Sequence, residues 1–135
     1  MAMLAGCDTV TDRYRTLADA RDDRVFERGW LPDILPQSAR DIRISDDLDV
    51  NTSEGEFSLN PSDIEPFLRR LAPFQDDKPE HASTVRRWRG MGYVVGLYAG
   101  REEYWLFACS KAEARCGYRL SIDYGCDQPK KFSCR

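Results

Sequence analysis

The sequence predicts an α+β fold, an antiparallel sheet packed with one or two short helices and stapled by disulfides near its C-terminus. Three observations predict it. Apolar and polar residues alternate in several short stretches, such as 41–45 and 117–124, the period of a half-buried strand. In the C-terminal third these stretches follow one another through turns too short for crossover helices. And Cys109, Cys116, Cys126 and Cys134 crowd into the last quarter of the 135 residues, an even set that reads as two bridges in an oxidising compartment.

The chain opens Met1-Ala2-Met3-Leu4-Ala5-Gly6-Cys7. Leu4-Ala5-Gly6-Cys7 has the form of a bacterial lipobox, in which the cysteine receives the lipid, palmitate included. Residues 1–7 read as the remnant of a lipoprotein signal, without its basic start. The polar residues 8–15 read as a tether, and 16–135 as a single α+β domain. Thr16 is placed to cap a short helix over Leu17–Arg21, a second helical turn is expected over Arg24–Glu27, and Gly29 stops it.

Gly29-Trp30-Leu31-Pro32-Asp33-Ile34-Leu35-Pro36 is too apolar for an open loop, and its prolines allow one helical turn at most. It is expected to plug one face of the core; the rival reading makes Trp30 part of a docking surface. Ile42 and Ile44 then mark a strand, and Glu56-Phe57-Ser58-Leu59 alternates again, giving an N-terminal hairpin with a long connection. Asn60-Pro61 is a helix start, with Ile64, Phe67, Leu68 and Leu71 on one face and Pro73 ending it.

Residues 74–81 read as a loop. Tyr93–Tyr98, Glu103–Cys109 and Tyr118–Tyr124 form a three-stranded meander. Its middle strand is apolar on both faces and so belongs inside the sheet. If the last two strands form a hairpin, Cys109 and Cys116 face each other across its mouth. Cys126 and Cys134 then staple the tail; the rival pairing has Cys134 reach back to Cys109 or Cys116, one of the three pairings that four cysteines allow.

Gly29-Trp30-Leu31-Pro32, Leu35-Pro36, Ser38-Ala39, Ile42, Asp47-Leu48-Asp49, Asn51 and Phe57 together resemble a family of small proteobacterial lipoproteins of unknown function. The resemblance spans roughly residues 4 to 60. It implies an envelope location and no activity.

Few constellations carry chemistry. Asp47, Asp49 and Asn51 offer oxygens on a turn, as a hard cation needs. But Thr52 stands where a calcium loop wants glycine, and Ser58 where it wants a bidentate glutamate. A self-bonded turn is the simpler reading, so no metal is expected. His81 is the single histidine and has no nucleophile motif beside it. Glu102 and Glu103 adjoin Tyr104 and Trp105, a pairing that a glycan hydrolase would need across a cleft and that a charged turn explains more simply. Arg86-Arg87-Trp88-Arg89 suits either a helix end stopped by Gly90 or contact with an anionic partner.

A net charge of −3 argues against nucleic acid. No apolar run approaches the ~20 residues of a membrane span, so membrane contact would come through Cys7 alone. The sequence therefore points to a non-catalytic, lipid-anchored protein facing the periplasm, without a cofactor, whose partner is another envelope protein. Trp30, Arg86, Arg87 and Trp88 are the candidate contacts. An immunity or inhibitor protein against a periplasmic toxin or cell-wall hydrolase is the first alternative, and a carboxylate-based glycan hydrolase the second.

Overall fold

Ile42, Ile44, Phe57, Phe107, Tyr118 and Leu120 each sit one residue away from polar or oppositely facing neighbours. The fold turns that alternation into the apolar face of a single sheet. A computed structural model describes residues 9–47, 52–74, 81–100 and 103–122. Among them run β1 (Thr9–Thr16), β2 (Arg40–Asp47), β3 (Thr52–Ser58), β4 (Ala72–Pro73), β5 (Val94–Ala99), β6 (Glu103–Ser110) and β7 (Arg115–Ile122). Their order across the sheet is β1-β2-β3-β7-β6-β5-β4, and every neighbouring pair is antiparallel. The helices are α1 (Leu17–Asp22), α2 (Pro61–Leu68) and α3 (Ala82–Gly90).

The expected N-terminal hairpin is β2–β3 and the expected meander is β5–β6–β7. Pairing of β3 with β7 (Phe57 opposite Cys116) joins them into one sheet. Two corrections concern the ends of the sheet. The segment expected as a tether (8–15) is, from Thr9 on, an edge strand instead: Thr9–Thr16 pairs along β2. Its threonines and tyrosine favour a strand, and its charged side chains suit a wet, one-sided edge. Tyr14 packs against the core and donates to the Asp23 carboxylate at 2.5 Å. Burial, that bond and the charges of Asp12 and Asp23 push its hydroxyl up to about 12. The other edge is β4, which the sequence reading missed.

The first face of the sheet carries the main core. Phe57, Phe67 and Phe107 meet edge to face in a triad, with centroids 5.2–6.3 Å apart. Such contacts add to the area they bury. The proline-bracketed segment covers this face, with Leu31, Ile34 and Leu35 buried and Trp30 half-buried against the core. The Trp105 indole donates to the Trp30 carbonyl at 3.4 Å. The expected turn at 24–27 is a single one, closed by the Arg28 amide donating to the Arg24 carbonyl at 3.1 Å; with Arg24 at φ +57° it does not join or extend a helix.

Thr16 caps α1, accepting from the Asp19 amide at 3.1 Å. Asn60 makes no side-chain cap on α2; its amide donates to Ser38 Oγ and its side chain accepts from Arg40. Gly90 lies inside α3. The helix ends at Met91 and Gly92, whose φ of +90° allows the Tyr93 amide to reach the Trp88 carbonyl. Gly55 has a steric reason of another kind: a β-carbon there would lie 1.9 Å from the Arg43 carbonyl oxygen.

The Cys109–Cys116 bridge forms as expected across β6–β7, whose register pairs the two residues. Both are buried. Cys126 and Cys134 lie outside the described residues.

Candidate interaction surface

The second face of the sheet divides in two. Over β5 and β6, Val95, Leu106 and Ala108 are apolar, and α3 covers them with Val85 together with Phe74 and Tyr104. Over β7, β3, β2 and β1 the same face carries Arg115, Gly117 and Arg119, then Glu54 and Glu56, then Arg43 and Ser45, then Thr11 and Arg13. The registers place these side by side. No described helix covers this half.

The charges there are cross-linked. Glu56 accepts from Arg115 at 2.9 Å and from Arg43 at 3.5 Å, and Glu54 pairs with Arg119 at 3.4 Å. Burial pulls the Glu56 carboxyl up, but the two guanidiniums outweigh it and hold the group below the usual carboxylate range. Such half-exposed pairs contribute little stability. They fix where each side chain points.

Where the open half meets α3 lies a groove of about 310 Å³, walled by Arg87, Trp88 and Tyr93 and floored by Ala108 and Gly117. The floor lacks long side chains, so the groove reaches the sheet backbone. A second cavity of about 410 Å³ adjoins it towards the start of α3, lined by Ser45, Asp47, Thr52 and His81. The two share Glu54 and Arg119, so one trough follows the flank of the helix.

The sequence candidates are scattered relative to this trough. Arg87 and Trp88 line it. Arg86 is exposed on the same helix. Trp30 lies on the opposite face, half-buried over the main core. Asp47 lines the second cavity, while Asp49 and Asn51 lie outside the described residues, as do Cys7 and Glu102. His81 is buried at the start of α3, its ring edge-on to Tyr104 with centroids 5.6 Å apart. Glu103 begins β6. No group of three metal-ligating side chains gathers among the described residues, and no described helix is long and apolar enough to cross a membrane.

Glu54, Glu56, Arg115 and Arg119 were missed at the sequence level. The signal was present: each pair is spaced by an even number along its strand, so each pair shares a face.

One further polar group stands apart. Asp46, on the first face, is buried, and its Oδ1 has no hydrogen-bond partner among the described residues. Burial raises its carboxyl pKa against the lowering hydrogen bond from Ser53, and Asp12 adds to the rise. The Ser53 hydroxyl in turn meets the Tyr118 hydroxyl at 3.1 Å.

The described residues together define an antiparallel α+β module with one face closed by helices and one charged face that α3 covers in half. Residues 8–58 match the model of the YbbD head domain family, nearly the span that carries the lipoprotein resemblance. No curated protein and no solved structure matches the chain. The matched span contains β1 to β3, and so Arg43, Glu54 and Glu56. The rest of the trough, from α3 and β7, lies beyond it.

Proposed function

We propose that this chain is a lipid-anchored protein of the bacterial envelope, held through Cys7 and facing the periplasm, that binds another envelope or periplasmic protein without catalysis. The trough beside α3 is the observation that carries the reading. It combines an aromatic wall, arginines and a backbone floor, the residue types that protein interfaces favour at their centres. The charged side chains of β2, β3 and β7 along it are fixed by mutual pairing, which limits the ordering that binding would cost.

A glycan hydrolase would need a carboxyl held protonated beside a second carboxylate. Glu56 is shifted the other way, and Asp46, which is shifted upwards, is buried on the opposite face.

The reading is tested by placing a photo-crosslinking residue at Ser45 or Glu113, beside the trough, and at Arg69 on the opposite side of the sheet. In membranes of the native host the first two are expected to capture one protein and the third none. Equal capture from all three positions, or none from any, would overturn it. Palmitate labelling of the native chain, lost in Cys7→Ser, tests the anchor separately.

A further inference from the structure

We infer that the trough takes an acidic, extended segment of the partner protein, laid along α3 with one side chain over Gly117. The inference rests on the protein-binding reading above and adds the partner's chemistry.

Charge argues for it first. The chain has a net charge of −3, yet the segment 81–100 holds three arginines and no aspartate or glutamate. Arg86, Arg87 and Arg89 are exposed on α3, and none makes an ion pair with another described residue. Opposite them, Glu54 and Glu56 are already engaged by Arg43, Arg115 and Arg119. Around the groove four arginines face three glutamates among the described residues; the adjoining cavity adds the Asp47 carboxylate, so the positive excess lies at the groove and along α3, where Arg86 and Arg89 extend it. Arg87 and Arg115 both line the groove, so a carboxylate seated there has guanidinium donors within the same recess for charge-assisted hydrogen bonds.

Shape argues next. A nine-residue helix spans about 13 Å, which matches about four residues of extended chain. A β-carbon added at Gly117 would have as its nearest neighbour the Gly55 carbonyl oxygen at 3.5 Å, an ordinary contact. The floor therefore has room for one incoming side chain. An extended segment directs alternate side chains downwards, so one reaches this floor while its neighbours meet the guanidiniums. A flat anionic membrane would touch the arginines but make no use of the recess.

The test uses the full chain with fluorescein-labelled hexaglutamate, hexaglutamine as control, and phosphatidylglycerol vesicles as the membrane arm. Anisotropy reads affinity; the Trp88 indole and Gly117 amide resonances read the place. Hexaglutamate is expected to bind, to move both resonances and to weaken with salt. Affinity should fall at least tenfold in Arg87→Glu and in Gly117→Leu, and stay unchanged in Arg69→Glu on the opposite side of the sheet. Unmoved resonances, or equal binding by Arg87→Glu, would overturn the inference. If hexaglutamate fails while the Ser45 and Glu113 crosslinks persist, the acidic segment is wrong and the protein-binding reading stands. If the vesicles move the resonances and hexaglutamate does not, the surface belongs to a membrane and the inference fails.

Discussion

The two faces of the sheet are built from the same strands and differ in what covers them. On one, α1, α2 and the proline-bracketed segment bury a continuous apolar layer centred on Phe57, Phe67 and Phe107. On the other, α3 shields β5 and β6 while β7, β3, β2 and β1 present paired charges. Stability therefore resides mainly in the first face, and the second is freer to change. That separation suits the recognition role proposed for the second face.

The largest expected effect strikes the closed face. Phe107→Ala removes the ring that both other phenylalanines contact and should cost about 3–5 kcal/mol, read as a large fall in the denaturant midpoint. A loss below about 1 kcal/mol would break the contrast between the faces.

Removing the bridge by Cys109→Ala with Cys116→Ala should cost about 2–3 kcal/mol. The closed loop is short, with a sequence separation of 7, and loop-closure entropy grows with its length. Thermal melts of the double variant measure this.

Asp46→Asn should act in the opposite direction. Its folded pKa is raised, so the stability of the neutral acid is fully present below the unfolded value and is lost as pH rises through the folded one. At neutral pH the ionised group is a liability, and the amide should gain about 1 kcal/mol. The gain should vanish in acid. Melting curves of both proteins across the acid-to-neutral range check the sign.

The smallest effect belongs to the open face. Glu56→Gln should cost less than about 1 kcal/mol. Because the Glu56 carboxyl is held low, its contribution is present above the usual carboxylate range and fades as pH falls through the folded value. The difference between the two proteins should shrink in acid, as for Asp46→Asn, but with the opposite sign: here the amide is the less stable protein.

Much of the closed face was legible in the sequence. Ile42 with Ile44, and Tyr118 with Leu120, announced strands by alternation. The apolar run through Trp105 and Phe107 announced an internal strand, and hairpin geometry gave Cys109–Cys116. Strand β1 was not legible, because threonine, aspartate and arginine around a single tyrosine read equally well as a tether. Nor was the β3–β7 pairing, which joins residues about sixty positions apart with no local signal. The trough depended on that pairing. Arg87 and Trp88 stood out as a charged helix end, but nothing local tied Glu54 and Glu56 to Arg115 and Arg119 until β7 lay beside β3.

β7 is the last described strand in sequence, yet it lies fourth in the sheet, between β3 and β6. The chain therefore has to present β1 to β3 and β4 to β6 before the strand that unites them exists. Until Arg115–Ile122 has emerged, β3 and β6 each keep an unpaired edge open to other chains. Contacts of such long sequence separation slow folding. Joining of the two halves thus waits on synthesis of this strand, and a chain cut short before residue 115 would lose both the seam and the trough in one stroke.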